Sequence, residues 1–224
     1  MGSRVEFDAA GENQIGYFAP SKTGSGPGVI VIQEWWGLVG HIENIADRFA
    51  EAGFTAIAPD FYKGVATKAP DEAGTLMMAL DMSHAEEVVR GAAKWLLTLD
   101  SCSSQKVGVV GFCMGGQLSL YSSCLVDEIG ACVNFYGVHP NANPDLAKLD
   151  VPLMGHFATK DHMTTPEIVA GLEEKLKAAG KSYEFFHYDA PHAFFNDERP
   201  EVYDPQSSQE AWDRTLSFFK SHLK

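Results

Sequence analysis

The segment Gly111-Phe112-Cys113-Met114-Gly115-Gly116 limits what this chain can fold into more than any other six residues. An apolar, strand-like run, Lys106 to Val110, leads into it, and a run of small and apolar residues that reads as a buried helix follows. Glycines on both sides of one reactive residue suit a sharp strand-to-helix turn. The apex residue then takes a strained φ/ψ, and its neighbours must be small for strand and helix to approach. Such a turn sets the Cys113 sulfur at a helix N-terminus, where free N–H groups and the helix dipole favour an anion. A buried structural cysteine beside a glycine turn is the plain alternative.

Strand and helix signals alternate on either side of the turn. Pro27 to Gln33 is a short β-branched run, too short for a helix, and reads as a central strand. His41 to Ala52 places Ile42, Ile45, Ala46, Phe49 and Ala50 on one helical face, and Gly53 ends it. Thr55 to Ala58 is the next strand, stopped by Pro59, and His84 to Leu99 repeats apolar residues at helical spacing. Ala131 to Tyr136 and Leu153 to Ala158 are further buried strands. Pro166 to Ala179 is a helix opened by proline and closed by Gly180, with Ile168, Val169, Leu172 and Leu176 inward. Tyr183 to Tyr188 is the last strand. Gln206 to His222 closes the chain as a helix that buries Trp212, Leu216, Phe219 and Leu223. Arg4 to Phe7 and Gln14 to Phe18 suit an antiparallel edge pair. Phe61 to Ser83 is the longest irregular stretch, either a lid or pocket wall or a surface loop with a short helix. The alternation predicts an α/β fold: a mostly parallel central sheet with helices on both faces and functional loops at the carboxyl ends of the strands.

A chain of 224 residues, 45% hydrophobic and 21% charged, is long enough for a full core and reads as one domain over residues 1–224. Its four cysteines, Cys102, Cys113, Cys124 and Cys132, form no CxxC pair and no metal-finger spacing, which suits a reducing, cytoplasmic setting. Cys124 falls about three helical turns after Cys113 and belongs with the buried face of the same helix. Met1-Gly2-Ser3-Arg4 opens no apolar signal segment, and no apolar run approaches the ~20 residues of a membrane helix. A net charge of −13 argues against nucleic acid and anionic membranes as partners. It also gives an acidic substrate no bulk attraction, so such a substrate needs a locally placed cation.

A cysteine nucleophile needs a base within hydrogen-bond reach and an acid to orient that base. Asp161 comes just after the strand ending at Ala158, and His192 follows the last strand in Asp189-Ala190-Pro191-His192. Both fall on the same sheet rim as Cys113, in the chain order nucleophile, acid, histidine. Asp189 is a rival acid, His162 a rival neighbour of Asp161, and His156, inside a buried strand, reads as structural. No HExxH or comparable spacing marks a metal site, and no cofactor is expected. Gln33-Glu34-Trp35-Trp36-Gly37 follows the first central strand. There the backbone N–H of Trp35 pairs with that of Met114 as an oxyanion hole. Glu34 beside a thiol would accept its proton as a hydrogen bond, while its charge disfavours a thiolate. Trp36, Tyr62, Tyr136 and Phe194 suit a compact, partly aromatic pocket.

Together these segments resemble the dienelactone hydrolase family of α/β-hydrolases. The resemblance rests on Gln33-Glu34-Trp35-Trp36-Gly37, Ala58-Pro59-Asp60-Phe61-Tyr62, the Gly111–Gly116 turn, Asn134-Phe135-Tyr136-Gly137-Val138, Asp161 and His192-Ala193-Phe194, and it covers essentially the whole chain. It implies a triad of Cys113, Asp161 and His192, with Glu34 taking the thiol proton once substrate is bound and Tyr136 in the pocket. It also implies two arginines that grip a substrate carboxylate. Here the position four residues after His192 is Asn196, and Phe49 to Val89 holds no arginine. Asparagine supplies neither the charge nor the bidentate geometry. Arg199 and Lys63 remain as candidates for that contact.

The activity implied is hydrolysis of a small ester or lactone through an acyl-enzyme on Cys113. The alternatives are a thioesterase, and a non-catalytic ligand-binding or redox-sensing protein on a hydrolase scaffold. Neither the natural substrate nor the oligomeric state is indicated.

Overall fold

The structure is a computed structural model and describes all of residues 1–224. Its strands are β1 (Ser3–Ala9), β2 (Glu12–Ala19), β3 (Gly28–Ile32), β4 (Thr55–Pro59), β5 (Val107–Phe112), β6 (Ile129–Phe135), β7 (Leu153–Ala158) and β8 (Tyr183–Tyr188). Its helices are α1 (Gly40–Glu51), α2 (Pro70–Ala79), α3 (Met82–Leu97), α4 (Met114–Ser123), α5 (Pro166–Ala178) and α6 (Pro205–His222). All eight strands form one sheet in the order β1-β2-β4-β3-β5-β6-β7-β8. β1 pairs antiparallel with β2, and β2 with β4; from β4 to β8 every pairing is parallel.

The period of a strand explains why both faces are covered. Along β3, Val29 and Val31 turn to one core while Ile30 and Ile32 turn to the other, and all four are fully buried. The first core takes Ile42, Ile45 and Phe49 from α1 with Trp212 and Phe219 from α6. The second takes Val88, Val89 and Leu96 from α3, Leu118 and Leu120 from α4, and Leu176 from α5. Strand order reverses at β3, which leads out to β4 on one side while β5 returns on the other. In an open parallel sheet that reversal leaves a crevice outside the carboxyl ends of the two strands. The loops after β3 and β5, which carry Glu34 and Cys113, border it.

Three expectations are corrected. Ile168 was assigned to the inner face of α5 but is 55% exposed, and Leu172 is only partly buried. The helix carries charged residues on most of its turns, and Val169 and Leu176 alone are fully inward. The stretch from Phe61 to Ser83 holds the short helix that one of its two readings gave, α2, opened by Pro70; what changes is the start of α3, which Asp81 caps by accepting from the Ser83 and His84 N–H groups, so that it begins before His84. Leu216 is half-buried rather than buried, whereas Trp212, Phe219 and Leu223 are in the core. No helix is long and apolar enough to cross a membrane.

Candidate active site

Cys113 sits at the apex of the turn from β5 into α4 with φ 52° and ψ −118°. That conformation is costly for a residue with a Cβ and persists only where its surroundings enforce it. The glycines explain how the turn closes. A Cβ on Gly111 would lie 1.9 Å from the Gly115 carbonyl oxygen, and one on Gly115 would lie 2.4 Å from that of Ile32. α4 is therefore pressed against β5 and β3 at distances only hydrogen can fill. Two further non-glycine residues near Cys113 have positive φ: Tyr136 (41°), just past β6, and Ala193 (61°), next to His192.

His192 and Asp161 meet on the same rim. His192 Nδ1 lies 2.6 Å from Asp161 Oδ2. An ionised carboxylate only accepts, so Nδ1 carries the proton and donates. Asp161 Oδ1 accepts from the N–H groups of Met163 (2.7 Å) and Thr164 (2.9 Å), which fixes the carboxylate from behind. Thr164 in turn donates its hydroxyl to the Tyr136 and Gly137 carbonyls, tying the Asp161 loop to the Tyr136 turn. Burial of Asp161 favours its neutral form, but the His192 bond and these N–H donors outweigh it and hold its pKa below the usual value. Burial likewise disfavours a charged His192. The Asp161 bond and the adjacent Cys113 outweigh that and push the imidazole up to about 10. Although Cys113 lies close enough to act on the ring, His192 Nε2 makes no hydrogen bond within the protein.

The rivals fall away on geometry. Asp189 is exposed and pairs with Lys160 at 2.9 Å; His162 is exposed. His156 is fully buried and bonded on both ring nitrogens, to Tyr188 Oη (2.8 Å) and Thr215 Oγ1 (3.1 Å). Cys124 caps the C-terminus of α4 and is buried, as its spacing implied.

Glu34 is 1% exposed, and its Oε2 accepts a 2.7 Å hydrogen bond from Asn196 Nδ2. Its Oε1 is buried without a partner. Sequence reasoning saw Asn196 only as a missing arginine and did not find this contact; no signal short of the fold joins positions 162 residues apart. The Met114 N–H opens α4 and so has no intrahelical acceptor, and the Trp35 N–H, in the Glu34–Gly37 turn, has no backbone acceptor.

The expected pocket residues divide. Tyr62 is buried and donates its hydroxyl to Met114 Sδ at 3.0 Å; burial and then the nearby Cys113 raise its pKa. Tyr136 is fully buried, its ring centroid 5.0 Å from that of His192, and its hydroxyl has no partner. Burial, then Glu34 and Cys113, raise its pKa well above the ordinary value. Phe194, expected to line the pocket, is fully enclosed between Tyr136 and Tyr188 and belongs to the core. Trp36 does line a cleft of about 340 Å³, with Arg199, Asn196, His41 and Lys68. Arg199 stands 5.4 Å over the Trp36 ring and is paired with Glu201 at 2.8 Å. Lys63 is exposed, pairs with Glu12 at 3.3 Å, and does not line this cleft. Neither this cleft nor the larger depressions, of about 780, 660, 600 and 440 Å³, are lined by Cys113, Asp161 or His192. No group of three or more His, Cys, Asp or Glu side chains is arranged to hold a metal ion.

A mostly parallel sheet with a left-handed residue at its β5–α4 apex, and a histidine–aspartate pair past β8 and β7 on the same rim, is the architecture of an α/β-hydrolase. Residues 15–223 match the dienelactone hydrolase family, and the chain belongs to that family. It is 40% identical to the protein usf of Aquifex pyrophilus and 34% identical to a candidate carboxymethylenebutenolidase of Aquifex aeolicus, over the full length of both chains in each case. Among solved structures it superposes on a candidate dienelactone hydrolase from Klebsiella pneumoniae with a TM-score of 0.90 and 26% identity, covering 99% of each chain.

Proposed function

We propose that this protein hydrolyses small carboxylic esters or lactones through a thioester formed on Cys113. One observation carries the reading: the strained apex cysteine shares its rim with a histidine whose Nδ1 is held by Asp161 and whose Nε2 is left free of any protein partner. The name of the Aquifex aeolicus relative, a candidate carboxymethylenebutenolidase, supports a lactone or ester as the bond cleaved.

In the first half-reaction Cys113 Sγ attacks the carbonyl carbon, and the thiol proton passes to His192 Nε2, with Glu34 as a second acceptor near the sulfur. The Met114 and Trp35 N–H groups hold the oxyanion. The leaving oxygen departs with the proton from His192. Water then attacks the thioester, gives its proton to His192, and the acid leaves as the thiol re-forms. Asp161 keeps the imidazole in one tautomer and stabilises its cation throughout. The Trp36–Asn196 cleft, at about 340 Å³, is of small-molecule size and adjoins Glu34 through Asn196, which lines the cleft and donates to the carboxylate.

Cys113→Ala tests this reading. The variant should stay folded and lose turnover of an activated ester such as 4-nitrophenyl acetate. Native protein quenched during turnover should show the acyl mass on the peptide that contains Cys113. Turnover by the variant at the native rate would overturn the mechanism.

A further inference from the structure

We infer that this site selects substrates with an uncharged acyl group and rejects acyl groups carrying a carboxylate, with Asn196 as the residue that sets the choice. The inference rests on the hydrolase reading above and adds the substrate class to it.

The argument is one of buried charge. Glu34 is 1% exposed, and the donor it receives is the neutral amide of Asn196, itself 3% exposed. That amide satisfies Oε2, leaves Oε1 without a partner, and compensates none of the negative charge. The same carboxylate, with Cys113, acts on the Tyr136 hydroxyl, so two acidic groups face that part of the site. Asp161 is a third acidic group, and the one basic side chain among these residues is the imidazole of His192, already engaged by Asp161. Two carboxylates thus stand beside one imidazole before any substrate enters.

The available cations lie outside this group. Arg199 is matched by Glu201, Lys63 by Glu12, and Lys68 is exposed at the cleft with Glu198 and Glu201 lining it too. A carboxylate brought against Glu34 would lose its water and meet a like charge with no bidentate donor to offset either loss. An uncharged acyl group bears neither cost. The unpartnered Glu34 Oε1 and Tyr136 hydroxyl can take a neutral hydrogen-bonding group of the substrate or a water. On this inference the chain departs from a lactone that bears a carboxymethylene group in its acidic form, the compound class in the name of its Aquifex aeolicus relative.

The experiment compares 4-nitrophenyl hexanoate with the 4-nitrophenyl monoester of adipic acid, each corrected for its rate with hydroxide. Native protein should favour the hexanoate in kcat/KM by roughly thirtyfold or more, and Asn196→Arg should narrow that ratio by about tenfold. Asn196→Ala, which adds no charge, should leave the preference in place and keeps the test valid if the arginine variant does not fold. A native ratio within about threefold, or one favouring the adipate, overturns the inference. A second readout does not depend on turnover: alkylation of Cys113 by iodoacetamide and by iodoacetate, alike in size and different in charge. Relative to glutathione, iodoacetamide should be favoured at Cys113 by about tenfold; an equal or reversed ratio overturns the inference. Loss of all ester turnover with the alkylation preference intact would sink the hydrolase reading and leave the charge selection standing.

Discussion

His192 and Asp161 lie 31 residues apart, on two loops rather than on any regular element, yet Nδ1 and Oδ2 meet at 2.6 Å. The loops are held so by their own chemistry: Asp161 accepts two N–H groups of its turn, and Ala193 adopts a positive φ to aim the histidine. Asp161→Asn keeps the shape and removes the charge. It should lower kcat by about 10³ to 10⁴, because the amide permits the wrong tautomer and no longer stabilises the imidazolium.

The same pair has a pH signature. The folded His192 pKa is raised from 6.5 to about 10, so its stabilisation is complete below pH 6.5 and is lost as pH climbs through 10. Asp161 is lowered, so its share is present above the ordinary carboxylate range and is lost as pH falls through it. The stability difference between native protein and Asp161→Asn should therefore peak between those limits and shrink from pH 6.5 towards 10. Urea midpoints across pH 5 to 10 check this; a difference that grows with rising pH contradicts the pairing.

His156 should act in the opposite sense. It is fully buried, accepts and donates between Tyr188 and Thr215, and burial followed by the nearby Arg214 push its pKa down to about 3. Between pH 6.5 and 3 the unfolded chain binds a proton there that the folded protein refuses, so stability falls as pH drops below 6.5. His156→Gln should cost about 1 to 3 kcal/mol at pH 7 from broken buried hydrogen bonds. It should also flatten the fall in urea midpoint between pH 6.5 and 5. An unchanged acid slope would show that another group carries it.

What could be read from the sequence, and what could not, divides along physical lines. β3, β5 and β7 are short buried apolar runs, and the glycines around Cys113 declare a close approach, so the strands and the rim that Cys113, Asp161 and His192 share could be read from the chain. The Glu34–Asn196 bond was not, because it joins two loops that only the β3-to-β8 arrangement brings together. The positive φ of Tyr136 and Ala193 was also hidden: neither residue type favours it, and the strain is imposed by neighbours. Ile168 misled because apolar spacing on a helix names a stripe without saying how wide a stripe the sheet covers.

Gly111 provides a test of the turn itself. A Cβ there would lie 1.9 Å from the Gly115 carbonyl oxygen and 2.2 Å from its carbon, both backbone atoms that no rotamer change can move. Gly111→Ala should therefore displace α4 from β5, cost about 3 kcal/mol or more, and abolish ester turnover. Ala substitution at Gly171, where nothing lies within 4 Å, should leave activity intact and gain stability by about 0.5 to 1 kcal/mol in the middle of α5. Thermal melts and initial rates on the two variants decide it; a Gly111→Ala protein as stable and active as native would mean the turn is looser than these distances allow.

Tyr136 sets stability against function. Its hydroxyl is buried beside Glu34 and Cys113 with no partner, and its backbone is held at φ 41°. An unpaired buried hydroxyl destabilises the folded state, so Tyr136→Phe, which keeps the ring against His192 and Phe194, should raise stability by about 1 kcal/mol. If the hydroxyl meets the substrate, the same change removes a hydrogen bond that forms only in the complex. kcat/KM should then fall by about tenfold for an ester that can hydrogen-bond there. The two effects separate a site residue from a packing residue. A core tyrosine would show no loss of turnover, whereas a variant both more stable and slower marks a group kept unsatisfied for the ligand. A Phe variant that melts lower than native would show that the hydroxyl already has a partner in the resting protein.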